Sequence, residues 1–354
     1  MHVAQDISAF TPVAGRRKSM GILSHQANSG LMPLIARLAM TASIFFSVSS
    51  CQRSDKDVSS KGSTESIGDI SAIVYRSTDG GTSWQPFGRG IPNDATVSAF
   101  VVDADQRVFA ATDFHGIYTV ADGEHQWLRL DSNLPDDADI NAMALMPNAM
   151  VIGTRRHGIL ISVNGGTNWA YSTSLITSAV RSLHRKNSIL FAGADNGIYR
   201  SIDNGNTWSS VMKGAQVNGF TTLGNELYAA LSNGAVKSLD DGRTWVYVYD
   251  DQTLHDISSD EESVYAMTLG AGLLRSLDQG NSWEGLNGGL GAFNFYTFEV
   301  KPFGQRKFAA QWHGIYEWNE QGAEWLKITA GLPDSTAFTT LEATGRGLIA
   351  GIGL

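Results

Sequence analysis

Several side chains in this sequence have types and spacings suited to a chemical task. Arg155 and Arg156 are adjacent and Arg181 follows them; guanidinium groups so gathered can grip a carboxylate through paired N–H donors. A local alternative is that Arg155 or Arg156 pairs with Asp136, Asp137 or Asp139, since exposed ion pairs are common and weak. His115, His157 and His313 each precede a glycine, and three imidazoles would suit zinc. No acid or cysteine completes a ligand spacing around them, so neither a metal nor another cofactor is expected. Trp312, with Phe293, Phe295 and Tyr296, concentrates flat aromatic plates on which sugar rings stack, or which simply pack within a sheet. Tyr296 and Glu299 offer a phenol nucleophile and a carboxylate, but residues three apart on a strand are expected to point to opposite faces. No nucleophile elbow, phosphate loop or cysteine site is present, and no catalytic residue is assigned.

Cys51 is the single cysteine, so it has no intramolecular disulfide partner. It follows an apolar run over residues 38–48, preceded by Arg16, Arg17 and Lys18. That run is too short to span a bilayer, which takes about 20 residues, and it suits the core of an export signal. Val48-Ser49-Ser50-Cys51 resembles the bacterial lipoprotein box, which implies lipidation at Cys51; Gln52, in place of Asp, implies the outer membrane. Residues 1–50 are therefore expected to be an export leader. Residues 51–70 are polar and lack aromatics, and are expected to form a flexible tether with a reach of roughly 25 Å.

These candidates must be held by the remainder of the chain, 71–354, and that remainder is repetitive. The pattern Ser-x-Asp-x-Gly-x-Thr/Ser-Trp occurs from Ser77, Ser201, Ser238 and Ser276, and from Ser162 with Asn164 in the Asp place. Asp79, Asp203, Asp240 and Asp278 close onto nearby backbone N–H groups in a tight turn. Gly supplies a positive φ, and Trp84, Trp208, Trp245 and Trp283 cover the turn. These are structural jobs, not catalytic ones.

Trp84, Trp127, Trp169, Trp208, Trp245, Trp283 and Trp325 are spaced 43, 42, 39, 37, 38 and 42 residues apart. A period near 40 built from short strands and Gly-rich turns predicts propeller blades of four strands. In one unit the strands fall at 179–185, 188–193, 197–201 and 208–211, with apolar residues alternating. Residues 72–84 supply a third and a fourth strand without their first two, and 337–354 supply a first and a second. The expected fold is all-β: a seven-bladed propeller of four-stranded antiparallel blades, closed by pairing the terminal strands in one shared blade.

The octets resemble Asp-boxes, or BNR repeats, of sialidases, sortilin-type receptors, certain endoglucanases and photosystem II assembly factors. The resemblance covers nearly all of 71–354 and implies that the Asp-box turns lie on the face away from any ligand. The ligand face would then carry the turns between second and third strands: Asp113-Phe114-His115, Arg155-Arg156-His157, Asp195-Asn196, Ser232-Asn233, Gly270-Ala271 and Gln311-Trp312-His313. A sialidase also needs three arginines on the substrate carboxylate and a Phe/Tyr-Arg-Ile-Pro motif, of which only Tyr75-Arg76 is echoed.

The whole chain carries a formal charge of −9, and from Cys51 onward 22 basic residues face 34 acidic ones, a net −12. That balance disfavours nucleic acid and anionic lipid as general partners. The expectation is a monomeric, exported, lipid-anchored and non-catalytic propeller that binds a protein or polysaccharide partner. Arg155, Arg156, Arg181, His157, His115, Trp312 and His313 are its contact residues. A glycoside hydrolase of sialidase type is the rival reading.

Overall fold

The structure is a computed structural model that describes residues 72–130, 133–174, 176–291 and 296–353. The leader, the tether with Cys51, Phe293, Phe295 and Leu354 lie outside the described residues. The described chain is all-β, with 28 strands in seven four-stranded sheets, every neighbouring pair antiparallel. Six sheets are built from consecutive strands. The seventh joins the two ends of the described chain, in the order Gln85–Pro86, Val74–Ser77, Gly347–Ile352, Phe338–Thr344. In that shared blade Tyr75 pairs with Ala350 and Arg76 with Ile349, so the ring closes by a strand ladder and exposes no edge at the junction.

The second strands form the apolar middle of each blade. Val108–Thr112, Ala149–Thr154 and Val264–Thr268 are buried along their whole length, because one face packs on the preceding blade and the other on the following one. Small residues let the blades approach: a Cβ on Gly153 would sit 2.4 Å from Val180 Cγ1 of the next blade. The apolar side chains accordingly fall into clusters that lie between blades, such as Phe191, Val217, Leu227, Ala229 and Val236.

The Asp-box turns repeat one hydrogen-bond set. Ser77 Oγ donates to Asp79 Oδ1 at 2.8 Å, the Ser83 N–H donates to the same oxygen at 2.9 Å, Ser83 Oγ donates to Oδ2 at 2.6 Å, and Gly81 N–H donates to Ser77 Oγ at 2.7 Å. The same contacts recur at Asp203, Asp240 and Asp278. The Asn164 side chain keeps the Ser162 and Asn168 bonds, and Gly166 N–H still donates to Ser162 Oγ. The octet glycine is left-handed throughout, at φ 92° for Gly81 and 75° for Gly242, and a Cβ on Gly242 would meet Phe191 Cε1 at 2.1 Å. The box tryptophans also stitch blades: Trp84 N–H donates to Ala330 O at 3.0 Å, and Trp208 N–H to Ser174 Oγ at 3.0 Å.

Each innermost strand carries a register shift at its second residue, seven in all: Ser98, Asn141, Arg181, Asn218, His255, Phe298 and Thr339. A bulge adds a residue to one strand and resets which side chains face which way. Here it turns two successive residues of every blade into the axis of the ring.

Candidate functional site

The first and third strand starts, and hence the turns between second and third strands, lie at the end of the ring opposite the Asp-boxes. At this end the axial channel opens as a cavity of ≈ 420 Å³ lined by the inner strands of all seven blades. Cavities of ≈ 490 and ≈ 620 Å³ open instead beside the Asp-boxes at Val163. Their wall contains the Asp103–Arg107 pair, closed on itself at 2.7 Å.

The charged turns of the channel end are engaged locally. Arg155 Nη1 lies 3.5 Å from Asp139 Oδ2, and Arg156 Nη1 lies 3.7 Å from Asp137 Oδ2. His157 Nε2 donates to Asp137 Oδ1 at 2.9 Å, and His115 Nε2 lies 3.4 Å from Asp94 Oδ1. Arg181 pairs with Asp195 on its own blade. Of the two arrangements open to Arg155 and Arg156, the structure adopts the local ion pairs, and Arg181 joins neither. Asp113 bridges to Asp139 through the backbone, and burial raises its carboxyl above the ordinary range, with Asp139 adding to the effect. His313 is exposed on a different blade from His115 and His157. Among the described residues no three His, Cys, Asp or Glu side chains gather as a metal site.

Aromatic rings gather where Trp312 stands, at 44% exposure. Phe298 lies 5.1 Å from Trp312 in an edge-to-face arrangement, Tyr296 lies 4.8 Å from Phe298, and His255 stacks flat on Tyr296 at 4.2 Å. Sequence reasoning placed Trp312 and Tyr296 together and missed Phe298 and His255, which join them only through the ring.

Tyr296 and Glu299 both line the channel on either side of the bulge at Phe298, Tyr296 stacking on His255 of the preceding blade and Glu299 accepting from Leu341 of the following one. Beside them stands Asp256, equivalent to Glu299 on the preceding blade. Lys301 Nζ lies 3.2 Å from Glu299 and 3.2 Å from Glu342, and Glu299 also accepts the Leu341 N–H at 2.8 Å. Burial raises both the Asp256 and the Glu299 carboxyls, and Glu299 pushes Asp256 further up. Burial and the Asp256 charge likewise raise the Tyr296 phenol. A phenol so raised stays protonated near neutrality, with its hydroxyl available as a donor.

Other bulge residues clasp blade to blade. Asn141 Nδ2 donates to Val180 O at 2.9 Å, Asn218 Nδ2 to Leu254 O at 2.6 Å, and His255 Nε2–H to Thr297 O. The signal was present as one polar residue at the same place in successive repeats. It acquires a meaning only once the bulge is known.

With this geometry established, comparison with known proteins identifies the repeat. The BNR/Asp-box repeat family matches residues 75–86. No curated protein sequence matches the chain. Among solved structures it is similar to the extracellular domain of BT4673 from B. thetaiotaomicron, with a TM-score of 0.63 and 14% identity over 75% of this chain and 38% of that one. It thus spans well under half the length of that protein. It is similar also to YCF48 bound to D1 peptide, at TM-score 0.59 and 13% identity, covering 75% of this chain and 94% of that one. An ancestral GH74 enzyme matches at TM-score 0.60 and 19% identity, covering 76% and 45%. The chain is a seven-bladed β-propeller that carries a BNR/Asp-box repeat at residues 75–86. Among the described residues no helix is long and apolar enough to cross a membrane.

Proposed function

We propose that this propeller is an exported, lipid-anchored and non-catalytic binding scaffold, which takes a segment of a protein partner at the channel end of the ring. The observation that carries the reading is the exposed Trp312, continuous with Phe298, Tyr296 and the channel wall, on the end where the blades differ most. Large aromatic side chains in a concave, partly polar setting are the usual anchors of protein recognition. Arg155, Arg156, His157 and His115 form the polar rim, their ion pairs available for exchange with a partner's charges, and Arg181 and His313 complete it. YCF48, which has the same fold, is seen with a peptide, and the BT4673 domain is extracellular; both lend support to this reading.

The test is cross-linking in intact cells, with the attached protein identified by mass spectrometry. Trp312→Ala combined with Phe298→Ala should abolish a specific adduct that Ile202→Ser, on the Asp-box end, leaves intact. Equal adducts from both variants would refute the site. Anchoring is tested separately: labelled palmitate should appear on the protein and vanish with Cys51→Ser.

A second reading, glycoside hydrolysis, is favoured by one observation: a tyrosine and two carboxylates converge in the channel. It predicts turnover of a fluorogenic sialoside or glucan that Tyr296→Phe removes without loss of fold.

A further inference from the structure

The channel carboxylates are unequally served. Glu299 and Glu342 share Lys301 between them, and each also accepts a backbone N–H, from Leu341 at 2.8 Å and from Ala343 at 2.9 Å. Asp256 accepts the Ile257 N–H and feels the Lys301 charge, but it has no ion-pair partner among the described residues, although it lines the same cavity. Three carboxylates therefore face one ammonium. Arg181, the other cation of the channel wall, is already held by Asp195.

The neighbours of Asp256 are aromatic. Tyr296 lies within electrostatic reach of it, and Tyr296 and Phe298 meet at 4.8 Å and 66°, so that the two rings form a corner rather than a stack. His255 covers one face of Tyr296; the ring faces left open at such a corner attract a cation, and a carboxylate beside them supplies the countercharge. Gly219, on the adjoining inner strand, makes room for the Asp256 carboxylate itself: a Cβ there would lie 2.1 Å from Asp256 Oδ1. Two blades away, Ser182 is nine-tenths buried in the same lining, and its Oγ has no hydrogen-bond partner among the described residues.

We propose that the channel mouth is a binding site for an organic cation, the ammonium or guanidinium head of a lysine or arginine side chain, with Asp256 as counter-ion and the Tyr296–Phe298 corner as its aromatic wall. The source of that cation, a side chain of the partner segment, rests on the function proposed above; the cation site itself does not. Burial of Asp256 beside Glu299 disfavours its charge in the empty channel, and an incoming cation relieves that cost. Its head would sit within the ≈ 420 Å³ cavity, beside Asp256, and leave the aliphatic stem to lie across Trp312.

The experiment titrates the purified propeller with three capped pentapeptides, Gly-Gly-X-Gly-Gly, in which X is lysine, arginine or Nε-acetyl-lysine. Binding is read by saturation-transfer NMR. Saturable binding of the lysine or the arginine probe is expected, the better of the two naming the head group, with the acetylated probe weaker by about tenfold or more. Asp256→Asn should weaken the charged probe by about tenfold and leave the acetylated one unchanged, and Phe298→Leu, which keeps volume but removes the ring, should weaken it several-fold. Asp278→Asn, on the opposite end, should change nothing. Equal binding of charged and acetylated probes overturns the site, as does undiminished binding by a folded Asp256→Asn protein. If Asp256→Asn does not fold, Phe298→Leu decides by the same criterion. Probe binding without any cellular adduct leaves the cation site standing and refutes the partner reading; an adduct retained by Asp256→Asn, with no probe binding, does the reverse.

Discussion

The two ends of the ring are built by opposite rules. At the Asp-box end one octet is copied from blade to blade, and its carboxylates are satisfied within the octet: Asp79, Asp203, Asp240 and Asp278 accept the same hydroxyl and amide bonds. At the channel end equivalent positions carry Ser98, Asn141, Arg181, Asn218, His255, Phe298 and Thr339; Asn141, Asn218 and His255 bond to the next blade, Arg181 to the Asp195 turn and Ser98 within its own blade. Copying therefore marks what every blade needs in order to fold, whereas departure from the copy marks where the molecule can differ from other propellers. The difference should show in stability, in pH response and in binding.

The largest effect is expected where the repeated tryptophan is fully enclosed. Trp325 is 1% exposed and donates to Leu286 O at 2.8 Å, so Trp325→Ala should cost about 3–5 kcal/mol in urea unfolding. A loss below about 1 kcal/mol would show that the period of tryptophans is not a packing device.

The pH response should separate the two ends next. Burial holds His255, at the channel end, down to about 4, from an ordinary 6.5. Its folded value is depressed, so the unfolded chain takes up a proton first, and stability falls as pH drops from 6.5 toward 4. The fall amounts to about 1.4 kcal/mol per unit from that histidine. The raised carboxyls of Asp256 and Glu299 act in the opposite sense, so the histidine share is read by difference: His255→Asn should flatten the decline of the urea midpoint across that window. The Asp-box end responds only in stronger acid, because the Ser83 hydroxyl and amide hold Asp79 down to about 2 from 3.8. Stability from that group is lost as pH falls below 3.8. An Asp79→Asn protein with an altered midpoint slope above pH 5 would break the distinction.

Ser238→Ala should follow. Ser238 is 1% exposed and its Oγ accepts the Gly242 N–H at 2.8 Å, so the substitution leaves a buried donor unmet, at about 1–3 kcal/mol. The smallest effect is expected at the rim of the channel. Arg156, more than half exposed and 3.7 Å from Asp137, should cost under about 1 kcal/mol when changed to Ala. Were Arg156→Ala to destabilise as much as Ser238→Ala, the rim would be part of the fold and not a surface free to meet a partner.

The repeat made most of the architecture legible. The third strand read at 197–201 is the observed Gly197–Ser201, and Tyr75 does pair with the last complete strand, because a fixed period leaves few ways to divide the chain and terminal half-blades have only each other to pair with. The site was legible in part. Trp312 and Tyr296 were singled out for their type, and Arg155 and Arg156 were read with the aspartates that do engage them. Asp256 and Phe298 gave no signal, since each is an ordinary residue in a strand of alternating pattern. The bulge that turns them toward the axis depends on how the inner strands crowd around a seven-fold ring.

Sequence alone therefore determined the number of blades, the turns that join their outer strands and the closure of the ring. Each of these follows from contacts between residues near in the chain or one period apart. Only the tertiary structure decided what faces the channel. Tyr296, Glu299 and Asp256 meet there because seven bulged strands converge on one axis, and convergence of that kind leaves no period in the sequence to be read.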